Sequence, residues 1–147
     1  MLRFCVFALC AVVAFSPLAS AQGNKGRRVA LLVGINDYSK AGLSNLKCAE
    51  KDATDVRDLL VMKLGYDKRD VCLMTKAEGF EAKNDSLFPT GDNIRANLKG
   101  LIEILRKEDK VLLAFSGHGV HLKALKEKGL HFCPSDTNLD KPETLVS

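Results

Sequence analysis

Short apolar segments alternate with helical repeats along this chain, and that alternation limits the possible fold more than any other feature of the sequence. Val29–Ile35 and Val71–Thr75 are nearly continuous apolar runs that end at turns, and Lys110–Phe115 is a third. Such runs are typical of parallel strands that are buried on both faces. The order strand, helix, strand, helix, strand predicts an α/β fold with a mainly parallel sheet and right-handed crossovers.

The two segments between these strands have the spacing of amphipathic helices. In the first, apolar residues recur every three or four positions from Ala49 to Leu64, and Gly65 suits the cap that follows a last helical turn. The second helix is preceded by Thr90, a good N-cap residue. The residues of its predicted buried face are Ile94, Leu98, Leu101, Ile102 and Leu105.

Two further segments have no helical repeat. Lys76–Pro89 contains Gly79 and several turn-forming residues, and it is predicted to be a loop. Leu130–Cys133 is either a fourth short strand or part of a hairpin. The sheet is therefore expected to end after about its third or fourth strand.

The amino-terminal segment has the pattern of a secretory signal peptide. A single arginine precedes the 12-residue apolar run Phe4–Phe15, and a small-residue cleavage site ends at Ala21. A membrane anchor is the alternative, but a helix that spans a bilayer needs about 20 apolar residues. Residues 1–21 are therefore predicted to be a signal peptide, which implies export to the periplasm or to the extracellular space.

Removal of this segment leaves 126 of the 147 residues, enough for one domain. Residues 22–27 read as a polar leader, and residues 28–147 as the folded unit. The 21 basic and 18 acidic side chains that remain are interspersed, with no block of like charge. This pattern predicts neither a nucleic-acid partner nor a membrane partner, and it does not indicate an oligomeric state.

Three of the five cysteines lie outside the predicted signal peptide, namely Cys48, Cys72 and Cys133. An odd number in an exported chain cannot form a complete disulfide framework. Two readings stay open. The cysteines are buried free thiols, or two of them form a disulfide and the third is free.

His118 directly follows the third predicted strand, between Gly117 and Gly119. Ligands of doubly wound sheets bind beyond the carboxyl ends of the strands, and an imidazole with an ordinary pKa of about 6.5 transfers protons near neutral pH. The glycines leave room for a substrate to approach the backbone, and the Gly119 amide is placed to donate to an oxyanion. His118 is therefore a candidate general base, with a polar turn residue as the alternative.

Other chemistry is disfavoured near this histidine. His121 lies three residues beyond His118, and His131 and Cys133 follow, but the segment is not helical and these residues do not form the usual zinc-binding pairs. Ser116 lacks the Gly-x-Ser-x-Gly elbow of serine hydrolases. We therefore expect no metal site, no cofactor and no serine nucleophile.

Three stretches of the chain, VALLVGINDYS, LKCAEKDATDVRDLL and VLLAFSGHG, occur in an order and spacing that resemble the first half of a caspase-like cysteine protease domain of the peptidase C14, metacaspase type. The resemblance implies that His118 is the catalytic histidine and that Asp52 and Ala53 open the first helix. Cys48 lies where many relatives have Gly-Cys, although Lys47 replaces the glycine here. The stretch FCPSDTN is similar to the Pro-x-Asp segment after the histidine strand. The implied fold is the three-layer caspase–hemoglobinase fold.

The chain departs from this family at the nucleophile. Relatives carry a cysteine in an Asp-x-Cys-x-Gly-like motif about 50 residues beyond the histidine, whereas 29 residues follow His118 here. Cys133 has neither the spacing nor the flanking residues of that motif, and Cys48 and Cys72 precede the histidine. We therefore expect that the nucleophile is missing from this chain and that the sequence is a fragment.

The resemblance implies a cysteine-type endopeptidase that acts on peptides or proteins, with His118 as the base and the Gly119 amide in the oxyanion hole. The chain as given, without the nucleophile, is expected to be inactive. The main alternative is a non-catalytic caspase-like binding or adaptor module, or a decayed fragment. A third possibility is an exported α/β domain that is unrelated to proteases.

Overall fold

The fold is built on a three-stranded parallel sheet whose central strand comes first in the chain. The structure is a computed structural model that describes residues 26–121 and 129–147, so the predicted signal peptide lies outside the described residues. Strands β1 (Arg28–Gly34), β2 (Val71–Met74) and β3 (Lys110–Ser116) lie in the order β2-β1-β3. The α/β class and the parallel sheet predicted from the sequence are confirmed.

Helices cover the sheet from both faces, as the crossover rule requires. The helices are α1 (Ala49–Met62), α2 (Lys76–Glu81) and α3 (Gly91–Ile104), and single 3-10 turns occur at Lys68–Asp70, Asp85–Leu87 and Pro142–Thr144. Alternate residues of β1 point to the two faces. Ala30 and Leu32 pack in the α1 layer, and Leu31 and Val33 pack in the layer that contains Ile94 of α3.

The segment predicted to be a loop contains helix α2. The Thr75 hydroxyl accepts a hydrogen bond from the backbone of Glu78 at 3.0 Å and caps this helix. Gly79 lies inside this helix, and the Phe88 ring packs directly over it. A Cβ atom at position 79 would stand 3.1 Å from that ring, which explains why a glycine is found there. Six residues are too few for an apolar repeat to be recognised, and therefore the turn-forming composition was misleading.

The ends and faces of the two long helices follow the sequence except at Leu64, at Ile102 and at Leu105, which is the C-cap residue just beyond the end of α3. Helix α1 ends at Met62, so Leu64 lies beyond it and is exposed, and Gly65 adopts a positive φ of 67° just after the helix. In α3 the Thr90 side chain caps the helix as predicted, accepting from the backbone of Asn93 at 3.3 Å. Ile102, predicted to be buried, is 67% exposed.

The segment around Leu130–Cys133 forms a hairpin and does not join the main sheet. Strand β4 (Gly119–Val120) pairs antiparallel with β5 (His131–Phe132), and Phe132 pairs on its other side with Val146. Of the two alternatives left open by the sequence, the hairpin is observed. No helix within residues 26–121 and 129–147 is long and apolar enough to cross a membrane.

Strand β3 is an edge of the main sheet among the described strands, because β1 is its one strand partner there. Its alternate residues Val111, Leu113 and Phe115 lie on the α3 side and are between 38% and 49% exposed. An apolar edge strand exposes unpaired amides and carbonyls that pair readily with other chains. This combination predicts that β3 is an association surface.

We expect residues 22–147 to self-associate through this edge, and Leu113→Lys to reduce the association because a charge on an edge strand opposes strand pairing. Leu59→Lys is the matched control, since Leu59 is equally exposed, at 51%, but lies on α1. Light scattering across a concentration series measures the effect. A wild-type chain that stays monomeric at every concentration contradicts the prediction.

Candidate functional site

His118 lies at the carboxyl edge of the main sheet, the position expected from the sequence. Strand β3 ends at Ser116, and His118 stands in the turn that leads from it into β4. The chain that leaves β1 passes the same edge, because the backbone of Ile35 donates to the Ser116 carbonyl at 3.0 Å. Residues from the β1 and β3 exits therefore meet around the histidine.

The imidazole of His118 is half-buried, and its Nε2 atom lies 2.7 Å from the backbone carbonyl of Ser44. A carbonyl oxygen only accepts hydrogen bonds, so Nε2 must carry the hydrogen in this arrangement. In the neutral ring this leaves Nδ1 as the unprotonated nitrogen. The Ser44 carbonyl thus selects the tautomer in which Nδ1 accepts a proton.

The loop that presents the Ser44 carbonyl is fastened on both sides. The Asn45 side chain accepts from the backbone of Tyr38 at 2.7 Å, and the backbone of Leu46 donates to the Asn36 carbonyl at 2.8 Å. The Asn36 side chain also accepts from the backbone of Glu50 at the start of α1, at 3.3 Å. These bonds connect both sides of the loop to each other and to the start of α1, and they position the carbonyl that the histidine contacts.

The side chain of Tyr38 joins the histidine turn to the β4–β5 hairpin. Its hydroxyl accepts from the backbone of His118 at 2.9 Å and donates to the Cys133 carbonyl at 3.0 Å. The side chain is completely buried, and burial raises the pKa of Tyr38 to about 12, with the hydrogen bond from His118 acting in the opposite direction. The phenol is therefore neutral at physiological pH and can donate and accept at once.

The backbone N–H of Gly119 points away from the hairpin partner. Gly119 is opposite Phe132, and Phe132 uses both its N–H and its carbonyl in bonds with Val146, at 2.8 and 3.0 Å. In an antiparallel ladder the groups of a residue in such a non-bonded pair face outward. The Gly119 amide is thus oriented away from β5, as a donor to a bound group would need to be.

The sequence suggests that Gly117 leaves room for a substrate, but the structure gives another reason for a glycine at this position. A Cβ atom at this position would overlap the Tyr38 hydroxyl and stand 3.0 Å from the Phe132 ring. The space beside Gly117 is therefore filled by the protein and is not left for a substrate. At Gly119 the atoms nearest to a Cβ atom would be those of the exposed side chain of Leu130, at 3.1 Å.

The three cysteines of the described residues are all free, and none contacts the His118 ring through a hydrogen bond. Cys133 is fully buried and Cys72 is half-buried, and burial raises the pKa of both thiols. Of the two readings left open by the sequence, free thiols are observed, but Cys48 is exposed just before α1 and not buried. No disulfide joins them.

The other residues weighed from the sequence do not assemble into a second site. His121 is exposed, whereas His131 is buried in β5 and its Nε2 atom has no hydrogen-bond partner among the described residues. Ser116 contributes its carbonyl to the bond with Ile35. In the parts of the chain that the structure describes, no group of three or more His, Cys, Asp or Glu side chains could hold a metal ion.

No pattern in the amino-acid sequence indicates that Tyr38 and Ser44 belong to the site. Tyr38 falls within one of the stretches that carry the family resemblance, but nothing in its neighbours indicates a contact 80 residues away. Ser44 contributes only its backbone carbonyl, and any residue type supplies that group. Sequence patterns therefore carry no signal for it.

Comparison with known proteins identifies relatives of the chain. Residues 28–141 match the family model for the metacaspase, peptidase C14 domain. The chain is 33% identical over 94 residues to metacaspase-3 of Arabidopsis thaliana, an overlap that covers 64% of this chain and 24% of the relative. Metacaspase-1 of Schizosaccharomyces pombe is 30% identical over 101 residues, which is 69% of this chain and 22% of that protein. The chain thus spans less than a quarter of these relatives.

Proposed function

Because this chain belongs to the metacaspase family of peptidase C14 domains, we propose that it provides the histidine side of a cysteine-type endopeptidase site, with His118 as the general base. The observation that carries the proposal is the bond between Nε2 and the Ser44 carbonyl at 2.7 Å. It leaves Nδ1 as the proton acceptor, at the carboxyl edge where α/β sheets bind ligands.

In the proposed reaction His118 takes the proton of a cysteine thiol on Nδ1, and the thiolate attacks the scissile carbonyl. A carbon–sulfur bond forms, and the negative charge moves to the carbonyl oxygen. When the carbon–nitrogen bond breaks, His118 returns the proton to the leaving amine. Water then hydrolyses the thioester, and no cofactor takes part in these bond changes.

The Gly119 amide is proposed to bind the oxyanion during the attack. Its orientation away from Phe132 supports this role, since a donor committed to the ladder would be unavailable. The neighbouring His118 amide is already bonded to Tyr38. One such donor typically contributes a few kcal/mol to the stability of the transition state.

We propose that the nucleophile is a thiol other than Cys48, Cys72 and Cys133. Cys133 is the nearest of these along the chain, and its backbone N–H donates to the His118 carbonyl at 2.9 Å. However, its side chain is fully buried, and a buried neutral thiol is a poor nucleophile. Cys72 is level with Leu31 of β1, below the carboxyl edge of the sheet.

Two activity measurements test the proposal. Residues 22–147 alone should give no peptide hydrolysis that a thiol-alkylating reagent blocks. In a longer polypeptide that also carries the nucleophile motif, His118→Ala should lower kcat/KM by about 10²- to 10⁴-fold, because a general base contributes that much. His121→Ala is the control, since this exposed histidine lies three residues away. Equal activity of the two variants would refute the assignment, as would thiol-dependent turnover by the short chain.

A non-catalytic binding module is the second candidate, and the exposed apolar residues of β3 favour it. The two candidates differ in the coding sequence after Ser147. Continuation in frame to a nucleophile motif supports the protease, and a stop codon supports the binding module. Export is proposed as well, and detection of a mature amino terminus at Gln22 in the secreted fraction would support it.

A further inference from the structure

We propose that Tyr38 is a positioning residue that fixes His118 by completing one rung of the β4–β5 hairpin with its side-chain hydroxyl. The catalytic meaning of this role rests on the proposed function above. The positioning itself concerns only contacts between described residues, so it can be measured without any activity.

The hydroxyl takes the place of a backbone bond. A hydrogen-bonded pair of an antiparallel ladder exchanges two N–H to carbonyl bonds. His118 and Cys133 make the first directly, since the Cys133 N–H donates to the His118 carbonyl at 2.9 Å. The second runs through Tyr38, whose hydroxyl accepts from His118 at 2.9 Å and donates to the Cys133 carbonyl at 3.0 Å. The hairpin therefore begins with an inserted side chain.

Tyr38 also contacts the part of the site that binds the imidazole. The centroids of the Tyr38 and His118 rings are 4.7 Å apart, and the ring planes are tilted by 60°. The Tyr38 N–H bonds the side chain of Asn45, the residue after Ser44. One residue thus touches the histidine backbone, the histidine ring and the loop whose carbonyl selects the tautomer.

Phenylalanine could keep the ring contact but could replace neither hydrogen bond. The His118 N–H and the Cys133 carbonyl would then lose their partner in a buried place, which a folded chain avoids by shifting the backbone. A shift of the histidine turn moves Nε2 relative to the Ser44 carbonyl. We therefore expect the tautomer preference of His118 to weaken when the hydroxyl is removed.

The experiment compares Tyr38→Phe with Tyr66→Phe in the 147-residue chain, because these are its two tyrosines. Long-range proton–nitrogen NMR of the His118 ring is the main readout. In the wild type and in Tyr66→Phe the hydrogen should reside on Nε2, whereas Tyr38→Phe should show a mixture of both tautomers. The His118 amide should also exchange with solvent about tenfold or more faster in Tyr38→Phe, since its bond is lost.

A folded Tyr38→Phe chain whose His118 tautomer and amide exchange equal those of the wild type would overturn the proposal. If Tyr38→Phe does not fold, incorporation of 3-fluorotyrosine replaces the variant, because it keeps the size of the phenol and makes it more acidic. The tautomer signal should then change as the fluorinated phenol ionises and can no longer donate. An unchanged signal through that ionisation would equally refute the role.

The outcome also separates this proposal from the proposed function. A changed tautomer in Tyr38→Phe together with full activity of His118→Ala in the longer polypeptide would leave the positioning intact and remove its catalytic meaning. An unchanged tautomer with loss of activity in His118→Ala would do the reverse.

Discussion

Replacing Ile94 by alanine should lower the free energy of unfolding by about 2–5 kcal/mol, the range for large-to-small changes in a packed core. Ile94 is fully buried and lies in the cluster with Leu31 and Val33 of the central strand. Two apolar clefts flank α3, one beside Leu101 and one beside Leu98. At these clefts the side chains of α3 are not fully packed against the rest of the protein. The packing of Ile94 therefore contributes a large part of the contact that stabilises α3 on the sheet.

Ile102→Ala is the matched control for this prediction. It makes the same chemical change in the same helix, but Ile102 is 67% exposed, so the free energy of unfolding should change by less than about 0.5 kcal/mol. Urea unfolding followed by circular dichroism measures both values. Equal losses in the two variants would show that α3 does not pack on the sheet as described.

Replacing Gly117 by alanine should lower the free energy of unfolding by about 1–3 kcal/mol, the usual cost of overpacking. The added methyl group would overlap the Tyr38 hydroxyl and press on the Phe132 ring. Relief of this overlap must move Tyr38, which bonds both His118 and Cys133. The substitution should therefore disturb the His118 ring signals as well as the stability.

Gly100→Ala should have the opposite sign and serves as the control. Gly100 lies inside α3, and nothing stands within 4 Å of where its Cβ atom would be. Glycine in a helix interior is less favourable than alanine by about 0.5–1 kcal/mol, so this variant should be more stable than the wild type. A Gly117→Ala chain as stable as Gly100→Ala would contradict the packing around Tyr38.

The elements that the sequence predicted correctly are those with a strong local signal. The strand at Val29–Ile35 is recognisable because it is apolar on both faces, and the structure buries both sets of side chains. Thr90 is recognisable as an N-cap because its hydroxyl acts on a residue three positions away. Each of these signals lies within a few residues of the feature it indicates.

The apolar repeat of α3 predicts burial of Ile102 wrongly because of where this residue lies around the helix axis. At 100° per residue, Ile102 lies about 80° around the helix axis from Ile94, whereas Leu98 and Leu101 lie within about 40° of it. The apolar stripe that meets the sheet is narrower than the full set of apolar residues. Nothing in the amino-acid sequence specifies the width of the contact between α3 and the sheet, so the pattern alone cannot exclude Ile102 from the buried face.

The candidate site was predictable only in part for a similar reason. The place of His118 follows from the strand that precedes it, but the contacts that orient its ring come from residues 74 and 80 positions earlier. One of these is a backbone carbonyl, and the other is a hydroxyl inserted in a hairpin. Neither leaves a periodic pattern, so only the fold brings them to the histidine.

The position of β1 at the centre of the sheet has a consequence for synthesis of the chain. Its neighbour β3 is translated much later than β1. The Arg27 N–H donates to the Asp109 side chain where the two strands begin side by side, and these residues are 82 positions apart in the chain. At about 5–20 residues per second, the ribosome releases the most apolar strand several seconds before that partner exists. During this interval a nascent chain exposes VALLV on the side that β3 later covers, and this segment is then available to chaperones that bind extended apolar segments.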